Sequence, residues 1–294
     1  MTVYLGRPGS LVALPSTGLS ISPTVERVSE SRTTIGGGRS RDYAPGVLRT
    51  WVLRWNVLDR ALYGALEAFF AGLNGPGPFV FLDPGRTNLL TPNQSGTTSV
   101  NNDTAGFLAF GGETLTSATT PVERGPRSLA WSLPAAVTAG FLVIGSSNSD
   151  WPGIPVVPGR SYRLIARVRG GGTDPIALVS GQLGWMNAAG GQFQFDTGAG
   201  TATSAGAWAD VACTFTAPGS AWWVQPKLLT DAASVSAAAT VYVDKLQLAM
   251  PDALDDGTVW RPGLGVPRVT LPQLDDSPWW SSLHKTGLVL EEVA

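Results

Sequence analysis

One histidine, one cysteine and three lysines are all that 294 residues carry of those types. A single thiol, Cys213, excludes an internal disulfide framework. It alternates with Val211 and Phe215, which predicts a small core side chain and not a reactive one. A zinc centre wants three or four His, Cys or carboxylate ligands, and a Ser-His-Asp or Cys-His device wants its imidazole beside a nucleophile. His284 sits next to Lys285 near the C-terminus, and no Gly-x-Ser-x-Gly elbow occurs, so His284 is expected to be structural or solvent-exposed. Charge is scarce at 14% and nearly balanced, with a net −2, which gives no electrostatic case for nucleic acid or an anionic membrane. No apolar run approaches the roughly 18 residues of a membrane span. The opening Met1–Pro8 lacks the apolar stretch of a secretory signal, so the expectation is synthesis in a cytoplasm without export by the usual route. Gly36-Gly37-Gly38-Arg39 lacks the Lys-Ser/Thr of a phosphate loop, and with Arg41 it is expected to be a solvated loop.

What is abundant is turn chemistry. The 36 glycines and 22 prolines punctuate short alternating segments, which favours β structure. Trp51, Leu53 and Trp55 alternate with Arg54 and Asn56, a half-buried strand. Leu58, Leu62, Leu66, Phe69, Phe70 and Leu73 recur at helical spacing, with Asn56 as a candidate N-cap and Gly72 or Gly75 as a stop. A strand follows at 79–82. Further alternation runs through 162–169, 179–185, 211–215, 223–228 and 241–248, with turns at Pro158-Gly159, Gly170-Gly171-Gly172, Gly190-Gly191 and Pro218-Gly219. Strands at that spacing predict a two-sheet sandwich. Two more strands are expected across 260–271 and 287–293.

The Asp83-Pro84-Gly85 turn reads as a seam after which a different domain begins. The last 40 or so residues are too few to bury a core alone, so they are expected to complete the N-terminal domain. The predicted organisation is mainly β: a discontinuous β-rich domain with one helix (1–87 and 251–294) and an inserted β-sandwich (88–250). Insertion costs little where the ends lie close together.

Two resemblances follow. Asn88-Leu89-Leu90, 156–162, Trp208-Ala209-Asp210-Val211, Thr216-Ala217-Pro218 and 243–248 resemble the jelly-roll carbohydrate-binding modules of glycoside hydrolases. Residues 51–55, the helix, 78–84 and 260–265 resemble distal or minor tail proteins of long-tailed phages of actinobacteria. The second resemblance implies a virion protein assembled in the host cytoplasm. It implies a ring, usually a hexamer, that joins the tail tube to the tip, with tail-tube, tape-measure and hub or tip proteins as partners. The insert would project outward. A host-surface glycan-binding adhesin is the alternative, and an accessory protein of a polysaccharide-degrading enzyme a further one.

No catalytic pair is legible. Glycoside hydrolysis needs two carboxylates across one cleft. Asp196, Asp210, Asp231 and Asp244 carry no geometry in sequence, the doublets Asp255-Asp256 and Asp275-Asp276 read as turns, and the adjacent Glu291-Glu292 would point to opposite strand faces. A non-enzyme without cofactor is therefore expected. The carbohydrate-module resemblance implies aromatic rings against sugar faces with amides and arginines on the hydroxyls. Alternation puts Arg163, Arg167, Ser180, Gln182, Trp223 and Gln225 outward. Trp223 with Gln225 is the leading pair, joined by Gln182 and Arg163. The plainer reading packs Trp223 under a loop or against a neighbouring subunit. Such folds often hold a structural calcium near the first and last strands. Asp244 and the Asn88 region stand in the matching place without forming a cage in sequence.

Overall fold

A computed structural model of the chain describes residues 2–15, 19–26, 29–33, 39–43, 48–83, 88–99, 102–134, 139–145, 151–171, 178–230, 238–251, 256–280 and 283–293. The Pro84-Gly85 seam, Gly36–Gly38, Asp231 and Asp255 lie outside them. The structure is mainly β. The N-terminal stretch gives β1 (Val3–Arg7), β2 (Ser10–Leu14), β3 (Leu19–Glu26), β4 (Ser29–Thr33), β5 (Arg39–Tyr43), β6 (Leu48–Asp59), α1 (Arg60–Phe70) and β7 (Phe79–Leu82). The middle gives α2 (Pro92–Ser95), β8 (Phe107–Ala109), β9 (Thr114–Ala118), β10 (Ser128–Leu133), β11 (Gly140–Ile144), β12 (Ile154–Pro155) and β13 (Ser161–Gly170). It continues with β14 (Leu178–Met186), β15 (Gln192–Thr197), β16 (Thr201–Ala202), β17 (Ala209–Thr216), β18 (Trp223–Thr230) and β19 (Ala239–Ala249). The chain closes with β20 (Arg268–Trp280) and β21 (Leu283–Glu292).

Two compact units result. The terminal unit takes in Thr2–Arg7, Leu11–Asp83 and Pro267–Ala294. Its sheet runs β2-β1-β7-β20-β21-β6-β3, so the last two strands of the chain lie between strands from its first third. Trp51, Leu53, Trp55 and Leu58 of β6 enter a core with Val3, Leu5, Phe79, Phe81, Leu288 and Leu290. Each such side chain contributes about 1.5–3 kcal/mol on burial. Arg49 is buried against Trp51 and forms a bidentate ion pair with Glu292 of β21.

Several local expectations shift. The helix begins at Arg60 and is capped by Asp59, whose Oδ1 accepts from Ala61 N and Leu62 N at 2.9 Å. Asn56 stays in β6, because pairing with β21 carries that strand on to Asp59. The helix buries only Leu66 and Phe69, and Leu73 beyond it is 80% exposed. Asp275 and Asp276 belong to β20 and are not a turn: Asp276 pairs with Thr286 and bonds His284 Nδ1 at 2.9 Å. His284 stacks on Tyr63 at 4.3 Å, fastening α1 to the β20–β21 hairpin. Arg39 and Arg41 lie in β5, paired with β4, and not in a loop. Residues 260–267 form no strand, since Gly263 N and Gly265 N donate to Ser95 Oγ and Leu90 O, leaving β20 to begin at Arg268.

The central unit, Pro8–Ser10 and Pro84–Val266, is a sandwich. Its back sheet runs β17-β13-β19-β10-β9; its front sheet runs β15-β14-β18-β11-β8, with β12 on β18 and β16 on β14. Between them Tyr162 and Trp185 meet edge-to-face at 6.1 Å, and Trp131, Leu164, Val168, Leu183, Val224, Leu228, Val243 and Leu248 are buried. Cys213 is a buried core side chain, as alternation predicts, and burial pushes its thiol up to about 11. Gly181 leaves room for it, because a Cβ there would stand 2.8 Å from Sγ. Asn88 closes the unit on itself. Its Nδ2 donates to Leu246 O and Arg261 O, while its Oδ1 accepts from Leu90 N and Leu248 N.

Candidate functional site

The outward face of the front sheet gathers the predicted polar residues in cross-strand rows. Register places Thr197, Gln182, Lys227, Val143 and Leu108 in one row, and Phe195, Gly184 and Gln225 in the next. Gln192, Met186, Trp223 and Pro155 form a third. Residues opposite one another in an antiparallel pair project to the same side, so these side chains share a surface. Gly184 is the low point of the face. A Cβ there would collide with the Gln192 carboxamide, which lies over it, and would stand 3.4 Å from Gln225 O.

The polar groups are held by one another. Gln182 Nε2 donates to Thr197 Oγ1 at 2.8 Å, and Lys227 Nζ donates to Gln192 Oε1 at 2.9 Å. Burial lowers the pKa of the Lys227 ammonium. Phe195, 63% exposed, stands beside Gly184, with Leu108 also exposed on the same face. Trp223 closes one end, but only 7% of it is exposed. Its ring lies 5.7 Å from that of Trp151, and its Nε1 is buried without a hydrogen-bond partner in the described structure.

The four predicted binding residues therefore separate. Gln182, Trp223 and Gln225 share the front face; Arg163 is on β13 of the back sheet, with its Nε buried and without a hydrogen-bond partner among the described residues. Gln182 is 5% exposed and underlies the surface, Gln225 is half-buried, and Trp223 contributes an edge more than an open platform. The carboxylates also disperse. Asp196 accepts from Trp185 Nε1 at 2.7 Å on the front sheet, while Asp210 and Asp244 are on the back sheet. Asp244 is buried, and burial raises its pKa. Its oxygens accept from Thr97 Oγ1 and from the backbone of Glu123, Arg124 and Lys245 at 2.7–3.0 Å. Those are donors, where a calcium cage would need further oxygen acceptors. No cluster of three or more His, Cys, Asp or Glu able to hold a metal is formed among the described residues.

Sequence reading missed Gln192, Phe195 and Lys227. The polar-aromatic segment Gln192-Phe193-Gln194-Phe195 after Gly190-Gly191 was the available signal for the edge strand that carries two of them.

Comparison with solved structures finds partial likenesses. The enzymatically active domain of bacteriophage CBA120 tailspike protein 4 is 13% identical and matches 58% of this chain and 22% of its own, with a TM-score of 0.42. The CBM22-1 xylan-binding domain of Paenibacillus barcinonensis Xyn10C is 15% identical over 57% of this chain and 93% of its own, at 0.39. The CBM22-1–GH10 modules of Clostridium thermocellum Xyn10B, complexed with xylohexaose, are 16% identical over 60% and 30%, at 0.44. None of these likenesses identifies a ligand or an activity for this chain. No protein-family model and no curated protein matches it.

Proposed function

We propose that this is a non-catalytic glycan-binding protein, whose central unit lays an extended polysaccharide across the outward face of the front sheet. The observation that carries the reading is the row Phe195-Gly184-Gln225, with Gln192 and Lys227 bonded to each other above the glycine. An exposed ring offers apolar area to the C–H face of a sugar, and the carboxamides both donate and accept, as vicinal hydroxyls require.

Retention on host cell-wall and plant polysaccharides, with a glycan array, tests this. Phe195→Ala and Gln225→Ala should each weaken binding about tenfold, equivalent to about 1.4 kcal/mol, without lowering the melting temperature. Binding unaltered in both variants, or absent for every glycan, would sink the reading.

A second reading is favoured by the terminal unit, where β2 and β3 end the sheet and, among the described residues, each has one edge without a neighbour in the strand order. Such edges are templates for pairing with another copy. Together with the tail-protein resemblance, this supports a ring at the distal end of a phage tail that displays the central unit. Native mass spectrometry with tail-tube protein should then show closed oligomers; a persistent monomer would remove this reading.

A further inference from the structure

The opposite face of the same sandwich carries a pocket that the front-face reading does not use. On β13 the outward residues are Arg163, Ile165, Arg167 and Arg169, alternating with buried Tyr162, Leu164, Ala166 and Val168. Arg167 stands opposite Asp210 of β17 and Asp244 of β19. Next to Asp244 the β19 register slips, and Lys245 takes a left-handed φ of +49°. A bulge of that kind re-aims a side chain out of the ladder. Asp244 stabilises it directly by accepting from Lys245 N, and by accepting from Glu123 N and Arg124 N it fixes the neighbouring turn.

These groups enclose a pocket of about 260 Å³ lined by Glu123, Arg167, Asp210, Lys245, Thr258 and Trp260, with Ile165 and Ala166 beneath. Trp260 is set by a hydrogen bond from its Nε1 to Leu246 O at 3.2 Å. The Arg124 guanidinium covers part of its ring, 4.8 Å from the centroid, and does not line this pocket. Thr258 is held by Asp256, which accepts from both its N and its Oγ1.

The polar lining is balanced and pre-arranged. Glu123 Oε1 receives Lys245 Nζ at 2.9 Å and an Arg167 terminal nitrogen at 3.4 Å, while the other terminal nitrogen meets Asp210 Oδ2 at 2.8 Å. Arg167 Nε is buried and makes no hydrogen bond in the described structure. The Asp210 side chain is 75% exposed, so its pair is weakly held and can yield to a ligand.

We propose that this pocket is a second carbohydrate site, independent of the front face, which takes one neutral sugar ring. Two cations and two carboxylates leave no net charge to select an anion or a cation. Donors and acceptors alternate at hydrogen-bond spacing, the arrangement that vicinal hydroxyls satisfy from both sides. Trp260 supplies the apolar wall. The volume lies just under the range of about 300–1,000 Å³ typical of larger organic ligands, which fits a single ring and excludes an internal stretch of polymer.

Saturation-transfer NMR on the full chain tests it with a panel of free neutral hexoses, pentoses and N-acetylhexosamines, and a uronate for comparison. At least one neutral sugar should give transfer to the protons of one ring face. Lys245→Gly removes the ammonium at a φ that glycine adopts freely, so it should abolish transfer while the melting temperature holds or rises. Arg167→Lys keeps the charge but loses the guanidinium fork, and should weaken binding at least tenfold. No transfer from any neutral sugar, preference for the uronate, or undiminished binding in both variants would overturn the proposal. The two carbohydrate readings fail separately: polysaccharide retention in Phe195→Ala reports on the front face, and monosaccharide transfer in Lys245→Gly reports on the pocket.

Discussion

The front and back sheets of the central unit are built from the same alternating strands, yet their outward faces do different things. On the front, Gln182 is bonded to Thr197 and Lys227 to Gln192, whose carboxamide lies over Gly184. On the back, Arg167, Lys245, Glu123 and Asp210 form linked ion pairs beneath Trp260. The difference lies in what covers each sheet. Asp244 ties the 123–124 turn over the back sheet, and Asn88 and Gln247 hold the 257–261 segment there. A pleated surface becomes a pocket where loops roof it and a bulge turns a side chain upward.

Removing what both faces share should have the largest effect. Trp131 is fully buried between the sheets, with its Nε1 bonded to Glu113 at 2.6 Å. Trp131→Ala should cost about 3–5 kcal/mol in denaturant unfolding of the central unit and abolish binding at both faces.

Asp244→Asn should separate the faces. An amide cannot accept at both positions, so it strands buried N–H donors, at a cost of about 1–3 kcal/mol. The sugar pocket should fail while polysaccharide retention survives. The pH dependence has a definite sign. Burial raises both Asp244 and Glu113 above the usual carboxylate range. The folded state therefore keeps these protons to higher pH than the unfolded chain. Their contribution is full below about pH 4 and is lost as pH rises through the shifted values. The stability deficit of Asp244→Asn, measured against the wild type from pH 4 upward, should accordingly shrink with rising pH.

The smallest effect is expected at Gly184→Ala. The new methyl displaces the Gln192 carboxamide and breaks its bond from Lys227. Stability should change by about 1 kcal/mol or less, with weakened polysaccharide retention and an unaltered pocket.

Much of this was legible residue by residue. Period-two alternation put Gln182, Gln225 and Trp223 on one side of their strands and Cys213 inside, because successive side chains in a strand must point oppositely. It could not reveal that Trp151 would roof Trp223, or that Arg163 belongs to the other sheet, since alternation gives a face but not a partner. The helix was recognised by its apolar spacing, but its start was misplaced, because pairing with β21 extends β6 to Asp59. Asp275-Asp276 resembled a turn locally and became part of a strand through its ladder with β21.

By itself, then, the sequence determined the β class and the strand periodicity, both of which depend on local composition and spacing. Only the tertiary structure decided which strands became neighbours, which outward face stayed open, and where Lys245, Glu123 and Trp260 converge. Those outcomes rest on long-range hydrogen bonds and burial, which join residues that no local pattern connects.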